Sequence, residues 1–282
     1  MITARLCGGL GNQLFQIFTT IAHAYHYSKP FFFLDNYELR GGSIKRHTYW
    51  NTFLSALNPF LKNIEKIPPL QKYEEPSYTY KKITNDNYAK LLVGYFQSYK
   101  YFDLYKEIIY KLLKIDAKKY VVFNKINALN IVNFREENII SVHFRFGDYK
   151  LYPELYHLLD ETYYINSLRF IIGKLDKSIP IKVLYFVEED SRTDAEQIIN
   201  KLKTEFVTIR EFIYIDNTFS DWQQMLLMSL CNHNVIANST FSWWGAYLNT
   251  NKDPIICCPD KWFTLQSGKD IKDLYPLSWT RI

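Results

Sequence analysis

The chain has 282 residues, of which 48% are hydrophobic, and it carries a formal net charge of +5 at pH 7. This length and apolar content predict an ordinary globular protein with one large or two modest domains. The basic residues form no clustered stripe, which argues against a nucleic-acid binder.

The chain is predicted to be soluble and cytoplasmic. Met1–Leu6 enter a strand directly, without the basic region, apolar core and cleavage site of a signal peptide. The apolar run Phe31–Leu34 ends at Asp35, so no stretch is long enough to span a bilayer. The four cysteines show no zinc-ligand spacing and are interpreted as reduced thiols.

A glycine-rich loop follows the first predicted strand, Ile2–Leu6. Cys7–Asn12 are predicted to form this loop, and a helix is predicted from Gln13 onward. The absence of side chains at Gly9 and Gly11 would let backbone amides and the helix N-terminus approach an anion, although a tight turn alone would also explain the glycines. Leu14 occupies the third-glycine position of a dinucleotide fingerprint, which disfavours a nicotinamide-dependent dehydrogenase.

Two regions of different pattern follow. Residues 36–119 are interpreted as helical and loop-rich, with helical segments at 102–113 and no strong alternating strands. From Asn138 the pattern alternates between strands and helices, which predicts a parallel sheet covered on both faces. The predicted strands are 138–145, 181–187, 209–215, 235–237 and 255–258, and the predicted helices are 161–175, 193–202, 222–231 and 242–248.

The fold class is therefore α/β with two domains, residues 1–135 and 136–282, and the boundary falls between 120 and 137. We expect the ligand cleft to lie between the two halves.

The segment His143–Tyr149 ends the first strand of the second domain with polar residues. His143 and Arg145 share one face of the strand, whereas Val142, Phe144 and Phe146 point to the other. An arginine fork at the carboxyl end of a parallel strand suits an anionic, phosphorylated ligand, and Asp148 can orient Arg145 or cap the segment that follows. The alternative is a buried salt bridge that only stabilises the strand end.

A second polar strand end occurs at Asn238–Ser242. Ser239, Thr240 and Ser242 lie where a helix begins and could cradle a phosphate, although a helix N-cap is the commoner role of any one of them. The following Trp243 and Trp244 are expected in the core. The acidic run Glu188–Asp190 is interpreted mainly as a solvated loop, with ribose or metal binding as alternatives. No Asp-x-Asp triplet is present, so we predict no metal and no cofactor.

Three segments in this order resemble glycosyltransferase family 11, the α-1,2-fucosyltransferases. They are Gly8–Gln16, His143–Tyr149, and Met225–Cys231 leading into Ile236–Trp244. The resemblance implies a GT-B-like architecture of two Rossmann-like halves, with the acceptor-side domain first and the nucleotide-sugar-binding domain second. It also implies an inverting, metal-independent transfer of L-fucose from GDP-β-L-fucose to a galactose hydroxyl of a glycan, in α-1,2 linkage.

The resemblance also implies residue roles. Arg145 matches the arginine that grips the donor diphosphate, and His143 and Asp148 would complete that site. Gly9, Gly11 and Asn12 would approach the donor from the first domain, and Ser239, Thr240 and Ser242 would hold phosphate oxygens. Candidate general bases are Glu154, His157 and Asp160.

Two positions depart from the family pattern. Phe146 stands where the family usually has a second arginine, and Gln224 stands where it usually has an acidic residue that binds guanine. Gln224 could still hydrogen-bond the base of the donor, but its amide cannot accept from two guanine donors as well as a carboxylate does.

Two alternatives therefore remain open: a transferase for another deoxyhexose activated by UDP or dTDP, and a catalytically silent glycan-binding protein. The expected partners are a nucleotide sugar and a galactose-containing glycan, with peripheral membrane association through a lipid-linked acceptor.

Overall fold

The computed structural model of the protein describes residues 1–39, 46–63, 67, 69–86 and 88–282. The chain forms two compact units, Met1–Lys118 with Asp270–Pro276 and Lys119–Lys269 with Leu277–Ile282. It passes from the first unit to the second within one helix, upstream of the boundary that the sequence analysis places at 135–136.

The first unit contains a three-stranded parallel sheet within its described residues. Its order is β1–β7–β6. The helices of this unit are α1 (Leu10–His26) and α2 (Lys106–Leu113), and the helix shared by both units is α3 (Ile115–Ala128). The strands are β1 (Ile2–Ala4), β2 (Phe33–Leu34), β3 (Glu38–Leu39), β4 (Arg46–His47), β5 (Leu61–Lys62), β6 (Gln71–Glu74) and β7 (Lys90–Val93).

Strands β6 and β7 correct the expectation that residues 36–119 lack strands. Each has only four residues, too few for a clear alternating pattern, and each gains its backbone partners from parallel pairing within the sheet. The helix α1 also begins at Leu10, three residues before its predicted start, with Gly9 as its N-cap residue in an extended conformation.

The second unit contains a six-stranded, all-parallel sheet, and all its residues are described. Its order is β10–β9–β8–β11–β12–β13. The strands are β8 (Asn138–His143), β9 (Ile181–Phe186), β10 (Ile209–Tyr214), β11 (His233–Val235), β12 (Ile256–Cys258) and β13 (Thr280–Arg281), and the helices are α4 (Glu161–Ile172), α5 (Arg192–Glu205), α6 (Asp221–Leu230) and α7 (Thr240–Tyr247).

This order is that of a doubly wound α/β unit. From β8 the chain adds β9 and β10 on one side, and then crosses to add β11 and β12 on the other. The strand order therefore reverses between β8 and β11, and ligands of open α/β sheets bind at the carboxyl end of such a reversal. The predicted α/β fold with a parallel sheet is confirmed.

The apolar pattern of β8 explains its central place in the sheet. Ile140, Val142, Phe144 and Phe146 belong to one buried cluster, so alternation directs Phe146 to the core, as predicted. Trp243 and Trp244 are fully buried, which confirms their predicted core role. Among the helices of the described residues, none combines the length and the apolarity that crossing a membrane requires.

Candidate functional site

The polar residues singled out in the second unit lie beyond the carboxyl ends of three neighbouring strands. Arg145 follows β8, Glu188 follows β9, and Asn238 and Ser239 follow β11. Two contacts join the strand ends across the reversal of strand order: the Tyr149 hydroxyl donates to the Asn238 carbonyl at 2.9 Å, and the rings of His143 and Phe241 lie 5.6 Å apart.

Arg145 provides a positive charge at the carboxyl ends of these three strands, which are called the site edge below. Its Nη2 donates to Oδ1 of Asp148 at 2.5 Å, its Nη1 donates to Glu188, and its guanidinium lies 5.0 Å from the centre of the Tyr149 ring. Burial alone would lower the pKa of Arg145, but the charges of Glu188 and Asp148 outweigh burial and raise it. The guanidinium is therefore a permanent positive charge. Asp148 thus contacts Arg145, as one of the two roles considered for it requires.

Glu188 is the residue of this edge that the sequence analysis underestimated. The acidic run was interpreted mainly as a solvated loop, whereas Glu188 forms an ion pair with Arg145. Gly147 makes room for it, because a Cβ at that position would clash with the Glu188 carboxylate. The glycine within the motif was the available signal, but Glu188 lies 43 residues from Arg145 in sequence.

His143 is the neutral member of the edge. Only 6% of the residue is exposed, and burial, followed by the neighbouring charge of Arg145, lowers its pKa to about 3. An uncharged imidazole donates from one ring nitrogen and accepts at the other. Its Nδ1 is buried without a hydrogen-bond partner.

Asn238 and Ser239 form the second side of the edge. The Asn238 side-chain NH₂ donates to the carbonyls of His157 and Trp262, while its Oδ1 has no partner. The Ser239 hydroxyl caps α7 by accepting from the amide of Phe241.

The two remaining hydroxyls differ in their surroundings. Thr240 is half-buried in the first turn of α7. Ser242 is fully buried and donates to the carbonyls of Ala237 and Ser239. The Ser242 hydroxyl is thus used within the protein, whereas Ser239 and Thr240 stand at the helix N-terminus, where backbone amides favour anions.

Three of the four unsatisfied buried side-chain polar atoms of the second unit lie at these strand ends. Arg145 Nε, His143 Nδ1 and Asn238 Oδ1 are all buried, and none has a partner among the described residues. Buried polar groups in native proteins are normally hydrogen-bonded, and exceptions mark functional sites. A ligand with both donors and acceptors would satisfy these atoms.

The glycine-rich segment lies in the first unit and is described by itself. Gly8 has a φ of +75°, which only glycine adopts without strain, and a Cβ there would clash with Asn12. Gly11 and Asn12 belong to the first turn of α1 rather than to a loop. Asn12 Oδ1 accepts from Gln97 Nε2 at 2.8 Å, and the Asn12 NH₂ group lies beside Gly8.

Glu75 is a polar residue of the first unit that the sequence analysis missed. It follows β6, and its Oε2 accepts from the backbone amides of Tyr95 and Phe96 at 2.8 and 2.9 Å. Burial raises the pKa of its carboxyl despite these two bonds. Glu75 lies in the region without recognisable motifs, and its partners are some 20 residues away, so no local signal identified it.

The remaining predicted residues have structural contacts. The Gln224 side-chain NH₂ donates to the carbonyls of Asp216 and Phe219 at 3.2 and 3.0 Å. The Asp160 carboxylate caps α4 through the amides of Thr162 and Tyr163. Glu154 is exposed and His157 is half-buried. No group of three metal-ligating side chains occurs among the residues that the structure describes.

Comparisons with known proteins agree with this geometry. The sequence model described as "Glycosyl transferase family 11" matches residues 1–282. The chain is 30% identical to an alpha-1,2-colitosyltransferase of Escherichia coli, over all of this chain and 99% of that protein. It is also 30% identical to the O-antigen biosynthesis glycosyltransferase WbnK of Escherichia coli, over 68% of this chain and 60% of that protein.

A solved structure of a mutant of Arabidopsis thaliana FUT1 in complex with GDP is similar in fold. The TM-score is 0.51 at 11% identity, and the match covers 90% of this chain and 69% of that one. The expected GT-B-like fold class is thereby confirmed.

Proposed function

The chain belongs to glycosyl transferase family 11 and is a glycosyltransferase, and we propose that it moves L-fucose from GDP-β-L-fucose to a galactose hydroxyl of a glycan, in α-1,2 linkage. The observation that carries the proposal is Arg145. It is a permanent cation at the reversal of strand order of a doubly wound sheet, beside buried polar atoms that lack partners.

The proposed reaction needs stabilisation of a departing diphosphate. The acceptor hydroxyl oxygen bonds to the anomeric carbon of the donor while the bond from that carbon to the β-phosphate oxygen breaks. The electron pair of the broken bond leaves with GDP, and the hydroxyl proton passes to a base. Arg145 supplies a planar fork for the phosphate oxygens, and its charge opposes the negative charge that develops on the leaving group. No metal is needed for this step.

Neighbouring residues complete the proposed donor site. The neutral His143 donates a hydrogen bond to a phosphate oxygen, and Ser239, Thr240 and the first amides of α7 hold the other oxygens. The orphaned Asn238 Oδ1 accepts from a donor hydroxyl or the base. We propose Gly9, Gly11 and Asn12 as donor contacts from the first unit.

Among the candidate bases, Asp160 is engaged as a helix cap. Glu154 and His157 therefore remain the proposed proton acceptors.

Recognition of the donor's nucleobase depends on Gln224. Because the NH₂ of Gln224 is bonded to two backbone carbonyls, only its Oε1 remains to accept from a base. A single acceptor gives weaker discrimination for guanine than a carboxylate would. The GDP in the complex of the structurally similar protein favours guanine nevertheless.

A second donor sugar is favoured by one comparison. The relative matched over the whole chain is named as an alpha-1,2-colitosyltransferase. A colitosyl group is therefore the second candidate, on the same scaffold and with the same linkage. The relative named for O-antigen biosynthesis supports a polysaccharide as the galactose-containing acceptor.

Calorimetry with GDP, UDP and dTDP tests the proposal first, followed by transfer assays with GDP-β-L-fucose and with nucleotide-activated colitose. We expect selective GDP binding, weakened about 10- to 100-fold in Arg145→Met, which loses charge-assisted bonds to phosphate. Arg169→Met is the matched control, because Arg169 pairs with Glu205 on an exposed face of α4. If the protein binds only UDP or dTDP, the donor is a UDP- or dTDP-activated sugar instead of GDP-β-L-fucose. If it binds glycans but no nucleotide, the proposed transfer reaction is refuted.

A further inference from the structure

Arg145 faces more negative charge than it can neutralise. One guanidinium contacts the carboxylates of both Asp148 and Glu188, while the adjacent His143 is neutral. The cluster is therefore net negative, and a diphosphate approaching it meets repulsion rather than an available cation. Glu188 accepts from Nη1 of Arg145 and Asp148 accepts from Nη2, so a phosphate oxygen can take the position at Nη1 when the Glu188 carboxylate leaves it.

The two carboxylates differ in how firmly they are held. Asp148 is three residues from Arg145, within the short 3-10 helix Gly147–Leu151, and its side chain is 26% exposed. Glu188 reaches Arg145 from the end of the neighbouring strand β9, and its side chain is 42% exposed. Its longer side chain can swing into solvent without any movement of the backbone, because it is already partly exposed.

The turn beneath Glu188 is independent of the ion pair. The amide of Gly147 donates to the Ser191 hydroxyl at 3.2 Å, and the amide of Ser191 donates to the Glu188 carbonyl at 2.9 Å. These bonds hold the ends of β8 and β9 together whether or not the Glu188 carboxylate contacts Arg145. The loss of that contact therefore leaves the site intact.

We propose that Glu188 is an exchangeable counter-ion: its carboxylate occupies Arg145 in the ligand-free protein and is displaced by the donor diphosphate, while Asp148 stays and orients the guanidinium. This inference rests on the proposed function, because it assumes that Arg145 binds a diphosphate. It assigns Glu188 a competing role and Asp148 a positioning role. Binding then exchanges the Glu188 carboxylate for the ligand anion. Ligands with a single weak negative charge therefore bind with lower affinity, because they compete poorly with Glu188.

The test compares nucleotide and pyrophosphate binding by calorimetry in the full chain. Pyrophosphate carries the diphosphate chemistry without a base, so the result does not depend on donor identity. Glu188→Gln is expected to tighten binding about two- to fivefold, the effect of removing one exposed competing ion pair. Asp148→Asn is expected to weaken binding, because it releases the guanidinium from its position.

Glu189→Gln is the matched control. It removes the same charge one residue along the chain, where Glu189 contacts Tyr214 and Arg192 instead of Arg145. We expect wild-type affinity.

The opposite effects expected for Glu188→Gln and Asp148→Asn distinguish displacement of Glu188 from a general effect of negative charge on binding. If overall charge alone mattered, Glu188→Gln and Asp148→Asn would both tighten binding, and this result would overturn the inference. Unchanged or weaker binding in Glu188→Gln would overturn it as well. If the wild type binds neither a nucleoside diphosphate nor pyrophosphate, the proposed function itself fails, which the wild-type measurement shows separately from any variant.

Discussion

Acidification from pH 7 to pH 5 is expected to destabilise the second unit through two buried histidines. Burial lowers the pKa of His143 to about 3 and of His233 to about 4, against the ordinary histidine value of 6.5. His233 Nδ1 also accepts from the amide of Ile255 at 3.0 Å, a bond that protonation of that nitrogen abolishes.

The sign and size follow from proton linkage. A histidine whose pKa is lower in the folded state binds protons more tightly when unfolded, so its stabilising effect is present above pH 6.5 and is lost as the pH falls. At pH 5 the loss is about 2 kcal/mol for each histidine, about 4 kcal/mol together. Folded domains are stable by about 5–15 kcal/mol, so this loss is a large fraction of the total.

Urea unfolding at pH 7 and pH 5, followed by tryptophan fluorescence, measures the effect. His233→Gln retains an oxygen that accepts from Ile255 but does not titrate, so the difference in unfolding free energy between the two pH values should shrink by about 2 kcal/mol. His143→Gln should reduce this pH-dependent difference by a similar amount, and the double variant should reduce it by the sum of the two. If the variants keep the wild-type pH dependence, the histidines are not held neutral by burial and the reasoning is refuted.

Three further predictions concern single contacts. Gly8→Ala is expected to lower the free energy of unfolding in urea by roughly 1–2 kcal/mol, because the backbone at Gly8 is left-handed. Gly9→Ala should leave it unchanged, because Gly9 has an extended backbone and open space around its Cβ position. Equal effects of the two variants would show that backbone strain is not the cause. Glu75→Ala should lower stability by about 1–3 kcal/mol, since two backbone amides lose their acceptor, whereas Glu75→Gln keeps an oxygen there and should retain most of it in thermal unfolding. Tyr149→Phe removes the bond to the Asn238 carbonyl at a cost of about 1 kcal/mol but keeps the ring beside the guanidinium, so GDP affinity measured by calorimetry should fall less than in Tyr149→Leu.

Much of the second unit could be predicted from the sequence. Its helices and strands lie within a few residues of their predicted bounds, with two exceptions: α3, most of which belongs to this unit and was not predicted, and the two-residue strand β13, which has no periodicity to detect. The edge residues Arg145 and Asp148 were recognised because they are three residues apart and follow an apolar strand directly. Such features depend on neighbours in the chain, which local patterns report.

The candidate site was only partly predictable. The sequence marked Ser242 as a possible phosphate ligand, but its hydroxyl donates to backbone carbonyls inside the protein. Gln224 was considered for base recognition, and its NH₂ proves to be bonded to the loop before α6. A polar side chain has the same identity whether its partner is a ligand or a carbonyl, so sequence alone could not distinguish the two.

The sequence by itself determined most strands and helices of the second unit, the core placement of side chains such as Phe146 and Trp243, and which polar groups follow strand ends. Hydrophobic periodicity decides all three, because it sets the face that each element must bury. Only the tertiary structure decided that β8 and β11 are neighbours, that Glu188 pairs with Arg145, and that His143 is held neutral. These outcomes depend on contacts between residues far apart in the chain, and on the burial that such contacts create.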